Sequence, residues 1–112
     1  MITIKHPTLE NYNLNLESLI GPENAVFLRG RLTGKYELKL PDYYREIVEE
    51  RTISVHLTMI GSHQNVIIKR ISEGVIYFQS QGNMPIDCYY LIFGERKDIS
   101  PLKAEQRLDT EQ

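Results

Sequence analysis

The sequence predicts an all-β fold: an antiparallel β-sandwich or meander of about six to seven strands, with one short inserted helix and an extended N-terminal arm. Two observations predict it. Apolar and polar residues alternate with a period of two in several short segments after residue 24, and this period places successive side chains on opposite faces of a strand. Glycines and other turn residues separate these segments. We therefore expect an arm over 1–23, a β body over 24–98 and a charged tail over 99–112.

The arm fits neither strict alternation nor a clean helical face. Its apolar residues need a surface to lie on, either the body of the same subunit or a neighbouring molecule. The second case is our prediction, with docking on another subunit or another protein. The expected docking residues are Leu9, Leu14, Leu16, Leu19 and Ile20.

The body begins with two predicted strands, 25–32 and 35–40, which we interpret as a hairpin around Thr33 and Gly34. Pro41 ends the second strand because it has no N–H to donate. A short helix is predicted next, over 42–50. Its predicted buried side holds Tyr43 and Ile47, with Tyr44 and Val48 as further candidates.

Three further strands are predicted as a meander, over 52–60, 65–71 and 75–80. The hairpin loop between the last two is 72–74, where Gly74 permits a positive φ.

The final strand, 86–95, is apolar on both faces. Two interpretations remain open: it is the central strand of a sheet covered on both sides, or another subunit covers one face. In the second case the oligomer interface consists of Tyr89, Leu91 and Phe93, and the opposite face holds Cys88, Tyr90 and Ile92.

Charge and composition disfavour several partners. Thirteen Lys and Arg against fifteen Asp and Glu give a formal charge of -2, which offers no bulk attraction to nucleic acid. No apolar run approaches the ~20 residues that span a bilayer, so membrane insertion is not expected. The single Cys88 cannot form an internal disulfide.

The candidate chemical residues are few. His6, His56 and His63 have no metal-ligand spacing, and the glycines form no phosphate-binding loop, so we expect no metal or cofactor. Cys88 and His56, oriented by Asp87, are a conceivable thiolate pair. A cysteine inside an apolar strand is usually inert, which favours a non-enzymatic protein.

Gly30 interrupts a strand between two arginines. A glycine there predicts either a β-bulge or a close backbone approach. Arg29 and Arg31 suit an anion or an acidic partner, although a solvated strand face explains them more simply.

A family resemblance covers residues 24 to 102. It rests on LPDYY at 40–44, VHLTMIG at 55–61 and FGERKD at 93–98. These stretches resemble a β-rich module of virion structural proteins of tailed bacteriophages, especially T4-like cyanophages, often found at the carboxy end of tail-fibre or tail-associated proteins. Met59 departs from the family, in which a proline is common at that position.

The resemblance implies a non-enzymatic virion structural protein of the tail, fibre or neck that is made in the host cytoplasm. It implies self-assembly, with a trimer favoured, and docking on other virion proteins. The alternative is a receptor-binding or glycan-binding fibre tip. In that case the residues expected to contact a host surface glycan are His63, Gln64, Gln81 and Asn83.

Overall fold

The fold is all-β, as the sequence predicts. The computed structural model describes residues 1–17 and 20–108. Within them, eight strands form three antiparallel sheets, accompanied by one α-helix and two 3-10 turns, Glu50–Thr52 and Gln81–Asn83. The strands are β1 (Ile2–Lys5), β2 (Asn13–Leu16), β3 (Ala25–Thr33), β4 (Glu37–Lys39), β5 (Ser54–Met59), β6 (Val66–Ser72), β7 (Val75–Ser80) and β8 (Asp87–Glu95), and the helix α1 is Asp42–Ile47.

Two three-stranded sheets make up the body. One has the order β3-β8-β5 and is called the β8 sheet; the other has the order β4-β7-β6 and is called the β7 sheet. Alternate residues of the two central strands face the core, where α1 also contributes side chains. The fully buried core comprises Leu32, Leu40, Tyr44, Ile47, Val48, Ile76, Phe78, Ile86, Cys88 and Ile92.

Some predicted strand pairings are wrong. β3 pairs with β8 and β4 pairs with β7, so the hairpin around Thr33 and Gly34 does not exist. Gly34, at φ 67°, donates its N–H to the carbonyl of Ile86 at 2.6 Å, and the chain then crosses to the other sheet. The predicted meander survives only as the β6–β7 hairpin, whose turn has positive φ at Glu73 and Gly74.

The helix is shorter than the predicted 42–50. It begins after Pro41, whose carbonyl accepts the N–H groups of Tyr44 and Arg45 at 3.0 and 3.2 Å. Val48 already has extended dihedral angles and forms a bridge with Arg96 of the last strand segment. Its buried side is led by Tyr44 rather than Tyr43, because the helix is too short to present a regular apolar stripe.

The N-terminal segment is a β-hairpin. β1 and β2 pair so that Ile2 faces Leu16 and Ile4 faces Leu14. Ile4, Leu14 and Leu16 pack against the core of the body, while the other face of the hairpin is polar. The expectation that this segment fits no alternation is therefore wrong: ITIK and NLNL both alternate, although only over four residues, the shortest run that indicates a strand.

The described chain is elongated. Its radius of gyration is 17.2 Å and its longest axis is 61 Å. A compact chain of this length has a radius of gyration of about 13 Å. Residues 99–107, part of the predicted tail, have no helix or strand. None of the helices in residues 1–17 and 20–108 is long and apolar enough to cross a membrane.

Candidate docking face

The outward side of β8 is the most apolar exposed strand face of the body. Cys88 and Ile92 are fully buried, so period-two geometry turns Tyr89, Leu91 and Phe93 away from the core. Tyr89 is 55% exposed, and Leu91 and Phe93 are half-buried. β8 is also the central strand of its sheet. Its second face carries no covering layer within the described residues.

The strands on either side of β8 extend this face, and they carry different types of residue. On β3, Phe27 lies beside Phe93, and the two arginines lie beside Leu91 and Tyr89. On β5 the corresponding neighbours are small or polar. We call this surface the outer face; it consists of Phe27, Arg29, Arg31, Ser54, His56, Thr58, Tyr89, Leu91 and Phe93.

The two arginines of the outer face differ in their partners. Arg31 donates two hydrogen bonds to the carboxylate of Asp87, from Nε and from Nη2, each at 3.0 Å. These bonds hold the pKa of Asp87 below its usual range. Arg29 has no hydrogen-bond or ion-pair partner among the described residues. One cation is thus neutralised within the chain, and the other is available to a partner.

His56 is held in place on the outer face. Its ring meets that of Phe93 edge-on, with 5.8 Å between centroids and 75° between planes. The Ser54 hydroxyl lies 3.3 Å from its Nε2. A shallow basin of about 540 Å³ lies beside it, lined partly by Arg29, Thr58 and Tyr89.

The thiolate pair considered from the sequence does not form. His56 belongs to the outer face, whereas Cys88 points into the core from β8 and is fully buried. Burial, with a smaller contribution from the Asp87 charge, raises the pKa of the Cys88 thiol. The two side chains lie on opposite faces of one sheet, so the imidazole cannot activate this thiol.

The two loops proposed for glycan contact do come together. His63, Gln64 and Gln81 line one groove of about 290 Å³. Gln64 is committed internally: its amide nitrogen donates to the carbonyls of Ile60 and Asp87 at 3.1 and 2.9 Å, and its oxygen accepts the Asp87 N–H at 2.9 Å.

The other polar groups of this groove are also partly engaged. The Asn65 amide donates to the side-chain oxygen of Gln81. Asn83 is not among the lining residues, and its carbonyl accepts the Tyr36 hydroxyl at 2.7 Å. His63 is exposed. Of the four predicted contact residues, His63 and Gln81 thus remain at the rim.

The predicted arm-docking residues divide into two groups. Leu14 and Leu16 contact the body of their own chain. Leu9 is 48% exposed and Ile20 is fully exposed. Leu19 lies outside the described residues.

Phe27 is the member of the outer face that sequence reasoning missed. Its neighbour on β8 is Phe93, 66 positions later, and this pairing does not follow from the hairpin that the sequence predicts for β3. Phe27, Arg29 and Arg31 are two residues apart along one strand, and this spacing is the sequence signal that their side chains lie on one face.

Comparison of this chain with protein-family models, curated proteins and solved structures finds no match. Within the two described segments, no group of three or more His, Cys, Asp or Glu side chains is placed to hold a metal ion. The outer face, with its exposed aromatic residues and its unpaired guanidinium, is the feature that most clearly suits a partner.

Proposed function

We propose that the chain is a non-enzymatic structural module of a tailed-phage particle. It self-assembles, and its outer face docks on other virion proteins. The observation that carries the proposal is the apolar row Tyr89, Leu91 and Phe93 on the outward side of a central strand. The sequence resemblance to tail-associated virion modules supplies the biological setting.

The exposed aromatic area provides a favourable contribution to association. Tyr89 is 55% exposed and Phe27 is 44% exposed. Aromatic side chains of this size present roughly 200 Å² each, so the two together leave about 200 Å² for a partner. At ~25 cal/mol per Å², covering that area contributes about 5 kcal/mol before the entropy lost on association.

The outward side of the β7 sheet is more polar than the outer face. Glu37, Lys39 and Gln79 are exposed there. The guanidinium of Arg70 lies 4.1 Å from the ring centroid of Tyr77, which covers the one large aromatic ring of that face. Ile67 of β6 is the one large apolar side chain that is well exposed among the described residues of this side, at 61%, whereas the outer face carries a row of three apolar residues on one strand.

A receptor-binding or glycan-binding tip is the second candidate function. It is favoured by the meeting of loops 61–65 and 81–85 in one groove, with His63 and Gln81 at the rim. The internal hydrogen bonds of Gln64 leave that groove fewer free polar groups than the sequence suggests. A glycan array probed with the purified chain would separate this candidate from the first.

The proposal is tested in phage particles. Mass spectrometry and immunogold labelling of purified particles of the encoding phage should find the chain in the virion, and absence from the particle would refute the proposal. Complementation with Leu91→Asp should abolish incorporation, because a carboxylate then occupies the middle of the outer face. The matched control is Gln79→Asp on the β7 sheet, which should be incorporated normally.

A further inference from the structure

Among residues 1–17 and 20–108, no strand pairs with the second backbone edge of β3, although the N-terminal hairpin lies near its start, where Leu16 lines a cavity with Ala25 and Phe27. The strand spans nine residues and pairs with β8 on one side only. The Arg96 N–H donates to the Asn24 carbonyl at 2.8 Å, and the Gly34 N–H donates to the Ile86 carbonyl at 2.6 Å. Both bonds join even-numbered residues of this stretch to the residues that flank β8, and the register between them is continuous.

Antiparallel pairing alternates the direction of backbone groups along a strand. The N–H and C=O groups of Phe27, Arg29 and Arg31 therefore point to the free edge. No backbone hydrogen bond to these groups occurs in the described chain. A row of unpaired donors and acceptors of this length is a template for another strand.

The other free edges of the body are less suited to pairing. β4 has three residues, β5 has six, and the register of β6 is interrupted between Ile68 and Arg70. Short and irregular edges are the usual means by which proteins prevent edge-to-edge association. β3 contains no proline and no irregularity.

We propose that β3 pairs antiparallel with β3 of a second copy of this chain, about a two-fold axis at Leu28. This inference rests on the self-assembly in the proposed function and specifies its geometry. The result is a continuous six-stranded sheet of order β5-β8-β3-β3-β8-β5. A two-fold axis gives a dimer in place of the trimer favoured from the sequence.

Charge selects the register. An axis at Arg29 would place two guanidinium groups opposite each other, which is destabilising. An axis at Phe27 would place Arg29 opposite Ala25 and leave the cation unpaired. An axis at Leu28 places Arg29 of each copy opposite Phe27 of the partner subunit. Both side chains are exposed in the single chain. The dimer therefore gains two cation–π contacts.

Pairing also brings the outer face to a useful size. From strand spacing and rise, the strands β3, β8 and β5, of nine, nine and six residues, present about 400 Å² on one face. Six strands present about 800 Å², which is the area that each partner contributes to a standard protein interface. The dimer thus offers one continuous surface, with the apolar row of each β8 on it, that is large enough to dock on another virion protein.

Disulfide trapping tests the register. Phe27→Cys and Arg29→Cys proteins are purified separately, mixed and oxidised. In the proposed register these positions face each other at about 5.5 Å between Cα atoms, within the range that a disulfide spans. A disulfide-linked heterodimer should form in the mixture and in neither protein alone. Gln79→Cys, exposed on the β7 sheet, is the control that should not cross-link to either.

Each other outcome overturns the inference. Cross-linking of Arg29→Cys alone would place the axis at residue 29, and cross-linking of Phe27→Cys alone would place it at residue 27. A monomer or a trimer of the wild type by light scattering, with no heterodimer in the mixture, would exclude pairing through β3.

Arg29→Gln should weaken self-association by roughly five- to thirty-fold, because two cation–π contacts are lost.

Failure of the inference differs from failure of the proposed function. Incorporation into particles without cross-linking would leave the virion role intact and remove the β3 pairing. Cross-linking without incorporation would keep the dimer and remove the virion role.

Discussion

The ring of Tyr90 lies across Gly30, its partner on the adjacent strand. A β-carbon at Gly30 would lie 2.6 Å from the Tyr90 hydroxyl oxygen and 2.8 Å from its Cζ. The register of β3 with β8 passes through this pair without a bulge. Of the two interpretations that the sequence allowed for Gly30, the close approach is therefore confirmed and the bulge is wrong.

Gly30→Ala should lower the free energy of unfolding by about 1–3 kcal/mol, because the added methyl group forces the Tyr90 ring to move. Urea denaturation measures the change. Gly21→Ala is the matched control: nothing lies within 4 Å of a β-carbon there, so its stability should stay near that of the wild type. In a double-mutant cycle with Tyr90→Leu, most of the Gly30→Ala penalty should disappear. Additive effects would show that the ring is not the obstacle.

Gln64→Glu should destabilise the fold by about 1–3 kcal/mol. In the wild type the Gln64 amide nitrogen donates to two carbonyl oxygens, and in the variant a carboxylate oxygen, which cannot donate, faces them. Thermal unfolding at neutral pH reveals the loss. Gln79→Glu makes the same chemical change at an exposed position of β7 and should have little effect. Equal stability of the two variants would mean that the Gln64 bonds do not hold the 61–65 loop.

Leu14→Asp should release the N-terminal hairpin and leave the body folded, since Leu14 packs on the body from a separate two-stranded sheet. Limited proteolysis should then cut within residues 6–24, while circular dichroism retains the β signal of the body. Asn13→Asp, on the polar face of the same strand, should remain resistant. Loss of the β signal in Leu14→Asp would show that the hairpin is part of the core.

Asp98→Asn should reduce the loss of stability in acid. Hydrogen bonds from Arg96, at 2.9 and 2.7 Å, hold the pKa of Asp98 below its usual value of 3.8. A carboxyl whose pKa is lower in the folded state stabilises the fold above its unfolded pKa, and this contribution disappears as the pH falls through the folded value.

Urea midpoints at pH 7 and at about pH 3 measure that contribution. The wild type should lose more stability between them than Asp98→Asn, which should already be weaker at pH 7. Glu37→Gln, at an exposed position of β4, serves as the control and should follow the wild type. An unchanged acid response in Asp98→Asn would exclude a role for this ion pair.

The sequence predicted the six strands of the body because each keeps a period of two or a dense apolar run over six or more residues. It did not predict which strands pair. Thr33 and Gly34 have local turn chemistry, yet Gly34 bonds to Ile86, which directly precedes the partner strand β8 and lies 52 positions away in the sequence. Local alternation determines which face a side chain occupies, and long-range packing determines which neighbour stands beside it.

The sequence predicts only the part of the candidate site that depends on alternation within one strand. Tyr89, Leu91 and Phe93 follow from alternation within one strand, and they do share the outward face. Phe27 and the contrast between Arg29 and Arg31 depend on the β3–β8 register and on the Arg31–Asp87 bonds. Both depend on contacts between residues far apart in the sequence, so local patterns do not predict them.

The order of synthesis gives the central position of β8 a biological consequence. β3 and β5 leave the ribosome with no partner of their own, and both must wait for the last strand of the body. A nascent chain shorter than about 95 residues therefore exposes two strands with unpaired edges, which favours association with chaperones or with other chains. A polypeptide that ends before Asp87 lacks the central strand and cannot form the β3-β8-β5 sheet.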